Sequence, residues 1–231
     1  MIHRIAILCA SLALLAQPAS AEVVKTDDDG FVTRHMAVVN ADTKAVWLAL
    51  ISPNKWWKKE HTWSGDAANM MLRPQAGGCF CERIPEDPNS DEVTLEGSVE
   101  HMRVIQSFPE KVLRMRGGLG PLQSEAATGV LTIAIGKSET DGEETTTIVW
   151  EYVVGGYMRY ETPKIAKAVD GVMALQLGSL AEMLGATNMP EAPAEEEPAD
   201  PAPETSEEDE SGESDDRMAA LEEAVEALSD E

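Results

Sequence analysis

Hydrophobic positions alternate with polar ones through the middle of the chain and then switch to helical spacing. Residues 31–39 read as a first strand. Asn40-Ala41-Asp42 offers a helix cap ahead of Ala45, Val46, Trp47, Leu48, Ala49 and Leu50. Ser52-Pro53 then starts a shorter helix that carries Trp56 and Trp57, with proline at the first turn. A β-rich region follows, with strands expected at 69–73, 78–84, 93–107, 112–116, 130–135 and 146–154. Turn clusters such as Pro85-Glu86-Asp87-Pro88-Asn89-Ser90 and Thr140-Asp141-Gly142 part them. Thr162-Pro163 opens the best helix in the sequence: Ile165, Val169, Val172, Met173, Gln176, Leu177, Leu180 and Leu184 recur at helical spacing, and Gly185 stops it.

Consecutive strands joined by short turns imply an antiparallel sheet whose apolar face needs a cover. The long C-terminal helix is the only element large enough, so the expected class is α+β, one domain over residues 22–186. Two strand faces carry information. In 146–154 the even positions Thr146, Ile148, Trp150, Tyr152 and Val154 form an almost continuous apolar and aromatic face. In 93–107 the odd positions Val93, Leu95, Val99 and Ile105 share their face with His101 and Arg103. Two polar groups on an apolar face suggest a pocket with orienting hydrogen-bond donors. A register bulge that turns both outward explains them as well, and Met102 and Val104 at even positions support it.

Composition changes the picture at the two ends. The net charge of -24 excludes a nucleic-acid binder that neutralises phosphates. Most of that charge belongs to a tail: residues 187–231 hold 18 acidic side chains and one basic, Arg217. Residues 187–216 read as a disordered acidic linker rich in Pro, Ala and Glu, and 217–229 as a short amphipathic helix on Met218, Leu221, Val225 and Leu228. Its plausible roles are solubility, weak cation capture, or carrying that helix to a basic partner. At the other end Arg4 precedes a run of twelve residues, Ile5 to Ala16, apolar except for Ser11; Gln17-Pro18 and Ala19-Ser20-Ala21 follow. This predicts a signal peptide over 1–21, cut after Ala21, and a periplasmic or secreted protein. Twelve residues are too few for a membrane anchor.

Cys79 and Cys81 remain after that cut. On a strand they point to one face without suitable geometry for a bridge, and read most simply as small hydrophobes. A strained disulfide and a metal site shared with His and carboxylates are the other readings. No metal, cofactor or catalytic residue is expected. The sequence has no nucleophile elbow, zinc-protease motif, paired C-x-x-C or P-loop, and His35, His61 and His101 lack short ligand spacing. Gly117-Gly118-Leu119-Gly120 reads as a turn, since no helix signal follows it.

Several strings, taken in order, resemble the START/birch-pollen-allergen superfamily (SRPBCC). They are Val46-Trp47 with Trp56-Trp57, Gly77-Gly78-Cys79-Phe80-Cys81-Glu82, Leu119-Gly120-Pro121-Leu122-Gln123 and Gly129-Val130-Leu131-Thr132. Tyr152 to Tyr157, Ala168-Val169-Asp170-Gly171-Val172 and Gln176-Leu177 continue them, over about residues 31–184. The nearest look is to the bacterial branch named after the C-terminal domain of the activator of the 90-kDa heat-shock protein ATPase. The resemblance implies a helix-grip fold: a curved antiparallel sheet holding the long helix around an apolar cavity. Members similar to this chain are mostly described as ligand-binding or of unknown activity, although the superfamily also includes cyclases and hydrolases. An exported chain would not meet a cytosolic chaperone. The leading expectation is therefore a binding protein for a small apolar or amphipathic ligand. Phe80, Trp150, Tyr152, Met173 and Leu177 would line its cavity, with His101 and Arg103 as polar anchors. The alternatives are a cyclase- or hydrolase-type enzyme, with His101 as base and Arg103 stabilising an oxyanion, and an interaction protein acting through the acidic tail.

Overall fold

The computed structural model describes residues 22–188, except 88, 90–92 and 141. The expected signal peptide, the linker beyond 188 and the terminal helix lie outside the described residues. Nine strands and two α-helices are described: β1 (Glu22–Asp27), β2 (Gly30–Val39), α1 (Thr43–Leu50), β3 (Met70–Leu72), β4 (Cys79–Ile84), β5 (Gly97–Phe108), β6 (Val112–Gly117), β7 (Ala127–Thr140), β8 (Glu143–Gly156), α2 (Thr162–Met183) and β9 (Ala186–Asn188). The strands form one antiparallel sheet in the order β1-β2-β8-β7-β6-β5-β4-β3. β1 pairs with β2 at Gly30 to Arg34 and β9 pairs with it at Val38 and Val39, so the two divide one edge of β2. This is a helix-grip α+β fold, in which one long helix covers the inner face of the sheet. Among the described residues no helix is long and apolar enough to cross a membrane.

The local signals act as expected. Asp42 caps α1, its carboxylate accepting from the Ala45 amide at 2.7 Å. α2 begins on Thr162-Pro163, and Gly185 follows it at φ 69°, a left-handed conformation that favours glycine. The inner face of β8 is the anticipated one: Ile148, Trp150, Tyr152 and Val154 are buried with Leu131, Ile133 and Ile135 of β7. Ile165, Val169, Met173, Leu177 and Leu180 of α2 join the same core.

Three features depart from the sequence reading. β1 is polar and gave no strand signal; pairing with β2 through the Asp28-Asp29 turn defines it. Val93 and Leu95 precede β5 and are exposed, so they take no part in its apolar face. β9 also runs two residues past the expected end of the domain at 186.

Candidate functional site

The site begins with a β-bulge. On β4 and β5, Phe80 pairs with Met102, whereas its neighbour Cys81 pairs with Glu100. His101 is therefore the extra residue, and the inward parity of β5 changes there. Before the bulge odd positions turn inward, as half-buried Val99 and buried His101 do; beyond it even positions do, as buried Met102 and Val104 do. His101 and Met102 are consecutive and both buried. Arg103 is thrown to the outer face, where its side chain is 55% exposed and paired with Glu100. Neither sequence reading of this strand holds whole. The bulge exists, but it turns one of the two polar residues outward and keeps the other inside.

Behind His101 lies Glu82 of β4, which has no exposed surface. One carboxylate oxygen accepts from the Ser64 amide at 2.5 Å; the other accepts from the Trp63 amide at 3.0 Å and lies 3.0 Å from His101 Nε2. Burial pushes the Glu82 carboxyl upward, but hydrogen bonds from Ser64, Trp63 and His101 outweigh it and hold the group below its usual range. Burial pushes His101 down, against the pull of Glu82. An ionised Glu82 beside a neutral imidazole requires Nε2 to carry the proton and donate, which leaves Nδ1 as an acceptor. Nδ1 lies 3.4 Å from the Gln123 side-chain nitrogen. The carboxylate thus fixes both the tautomer and the ring plane.

His101 lines a cavity of about 360 Å³ under α2. One wall is the loop carrying Trp57, His61, Thr62 and Trp63; another is Leu119-Gly120-Pro121; the helix supplies Ile165, Ala168, Val169, Val172 and Met173. The loops are tied down by polar contacts. Trp63 Nε1 donates to Gln123 Oε1 at 2.9 Å, and the Arg159 guanidinium holds Glu125 through two nitrogens at 3.0 and 2.6 Å. Gln176, fully buried on α2, accepts from the Lys58 amide at 2.9 Å, so its nitrogen is the atom 3.1 Å from His61 Nδ1. His61 therefore accepts at Nδ1 and carries its proton on Nε2 in the neutral form that burial favours. The cavity is mostly apolar, with two imidazoles of fixed tautomer in its lining.

The anticipated ligand residues divide accordingly. His101 and Met173 line the cavity. Phe80 stands one layer behind, its ring 5.4 Å from that of His101 and 5.2 Å from that of Trp57. Leu177 is buried in the core and absent from the lining. Tyr152 is buried as well; its hydroxyl donates to the Gly117 carbonyl at 3.0 Å, and burial pushes its pKa up. Trp150 sits between Trp56, with ring centroids 5.9 Å apart, and its cross-strand partner His35. Arg103 is a correction: on the outer face it can neither anchor a ligand in this cavity nor stabilise an oxyanion there. Glu82, His61 and Gln176 were not assigned a site role from the sequence. The signals that could have found them are the polarity of Gln176 on the apolar helical stripe and the alternation of Glu82 with Phe80 on β4.

A second buried polar group lies away from the cavity lining. His35 Nε2 and Asp170 Oδ1 are 3.0 Å apart but misaligned for a hydrogen bond. Thr33 Oγ1 and Trp150 Nε1 have no partner among the described residues. The cysteines also differ from expectation: a disulfide joins Cys79 and Cys81. Their Cα atoms are 5.4 Å apart, inside the range a bridge requires, whereas two residues of a regular strand span about 6.6 Å.

No protein-family model matches the chain, and no curated protein matches it. Among solved structures it is similar to a conserved protein of unknown function from Enterococcus faecalis, at 12% identity and TM-score 0.43, covering 79% of this chain and 81% of that one. It is similar to a protein from Mesorhizobium loti at 15% identity and TM-score 0.42, covering 66% and 96%. It is also similar to a norcoclaurine synthase point mutant from Thalictrum, solved with a transition-state analogue, at 13% identity and TM-score 0.40, covering 69% and 97%. Likenesses this distant say nothing of what the chain binds.

Proposed function

We propose that this chain binds one small, largely apolar molecule in the cavity under α2, with a single polar group of the ligand meeting His101 or His61. The observation that carries the reading is the cavity itself: about 360 Å³, with a mainly apolar lining and two histidines of fixed tautomer. Apolar burial drives such binding, and a few placed polar groups orient the ligand. His101 offers an acceptor at Nδ1 and His61 a donor at Nε2, which suits a hydroxyl or a protonated carboxyl better than a permanent charge. In this reading the chain is a member of the SRPBCC superfamily near the heat-shock-activator branch, supported by the ordered strings from Val46-Trp47 to Gln176-Leu177. It is exported after removal of 1–21, and its acidic tail serves solubility or a basic partner.

The test is equilibrium binding of an apolar fluorescent probe to the full chain. Val172→Trp, which fills the cavity, should weaken binding at least tenfold at an unchanged thermal midpoint. Equal affinity in the variant would end the proposal. The Glu82–His101 pair also favours a second reading, since a buried carboxylate that orients an imidazole equips it as a general base. In that case His101→Gln abolishes conversion of a bound compound while leaving its affinity nearly intact; a binding protein shows no conversion to lose.

A further inference from the structure

We infer that Cys79 and Cys81 form a redox-active disulfide on the outer face of the sheet, which oxidises an exposed dithiol of a partner. Both cysteines are half-buried rather than enclosed. They lie two residues apart on one strand, so the bridge closes a very short loop that the sheet ladder already orders. A bridge of that kind constrains the unfolded chain little, and stability gives a weak reason for its presence. Its surroundings suit exchange. Cys79 pairs across the ladder with Arg103, Cys81 with Glu100, and Arg103 with Arg116 of β6. Arg103 binds Glu100 and also donates to the Gly77 carbonyl, and a Glu100 carboxylate oxygen lies 3.9 Å from the Cys79 sulfur. Arg103 thus neutralises the carboxylate that lies against the Cys79 sulfur, which would otherwise repel an incoming thiolate and destabilise the departing one.

The reaction runs in two displacements. A thiolate of the partner attacks Cys81 Sγ; the S–S bond breaks and a mixed disulfide forms. Cys79 leaves as a thiolate and takes up a proton from solvent. The partner's second thiolate then attacks its own sulfur in the mixed disulfide and releases Cys81, which is protonated in turn. Two electrons and two protons pass from the partner dithiol, which becomes a disulfide, to the cysteine pair. Arg103 and Glu100 are positioning residues in this scheme, and its failure would leave the cavity proposal untouched, because the two sites lie on opposite faces of the sheet.

The experiment uses the full, oxidised, folded chain with dithiothreitol as the dithiol, following the pair by alkylation and mass. The pair should be reduced without denaturant and reoxidised by oxidised glutathione. Arg103→Ala should slow reduction about tenfold and change its pH profile, whereas Glu100→Gln should not slow it, both at an unchanged thermal midpoint. The charged groups on the same face are Arg83 of β4 with its partner Glu96, Glu100 and Arg103 on β5 and Arg116 on β6; Met71 of β3 faces Cys81. Reduction that needs denaturant would overturn the inference, as would a wild-type rate and pH profile in Arg103→Ala or a tenfold slower reduction in Glu100→Gln. Should a variant fold poorly, Arg103→Lys keeps the charge and should restore most of the rate.

Discussion

Replacing Glu82 by leucine removes the one acceptor shared by three donors, the part-buried amides of Trp63 and Ser64 and the buried His101 Nε2, all within 3.0 Å. Each buried donor left unpaired costs about 1–3 kcal/mol, and breaking a buried ionic or hydrogen-bonded pair costs about 3–5 kcal/mol. Leucine regains some apolar burial and His101 can rotate toward Gln123, so the expected loss is about 3–5 kcal/mol. Glutamine keeps one acceptor but turns its amide nitrogen toward a donor. His101 can relieve that clash by moving its proton to Nδ1, so Glu82→Gln should cost about 1–3 kcal/mol. Urea denaturation at neutral pH measures both, provided the m-value is unchanged. The Glu82→Leu/His101→Ala double variant should lose less than the sum of the single variants, because one interaction is counted in each. A leucine variant within about 0.5 kcal/mol of the parent, the range of an ordinary surface change, would refute this account of the site.

Acid should weaken the fold in two stages. Burial holds His101 and His61 below the usual 6.5, so the unfolded chain takes up protons first; their contribution is full above that value and lost as pH falls through the folded pKa values. Glu82, held below 4.5, adds its own loss at lower pH, and equal urea midpoints at about pH 7 and about pH 5 would contradict the first stage. Gly129→Ala should cost about 1–3 kcal/mol in thermal or urea unfolding, because the added methyl would sit 2.3 Å from the Tyr152 ring.

Most of the fold was legible because period and punctuation agree along this chain. The even face of 146–154, the cap at Asp42 and the Pro163-to-Gly185 frame of the long helix each carry a local physical cause, and each holds in the structure. β1 was not legible, because a polar edge strand is held by backbone pairing that leaves no mark on side-chain periodicity. Val93 and Leu95 misled for the opposite reason, being apolar residues in a segment with nothing to bury them.

The site was harder to read, and one residue accounts for most of the difference. Strand arguments assume that parity persists, and the bulge at His101 breaks it midway along β5. With unbroken odd parity Arg103 would face the cavity; with unbroken even parity His101 would face solvent. The change of parity turns His101 inward beside Glu82 and sends Arg103 outward beside the cysteine bridge, so the same insertion equips both faces of the sheet. Glu82 escaped notice because a lone carboxylate reads as surface until its donors are known. Two of those donors are backbone amides of a loop that the chain reaches nearly twenty residues earlier. A variant that deletes His101 would test this dependence directly. It should leave a regular ladder in which Met102 and Val104 stay inward and Glu100 and Arg103 stay outward, so it should impair the cavity and spare the exchange chemistry; impairment of both would mean that the outer face depends on the bulge itself.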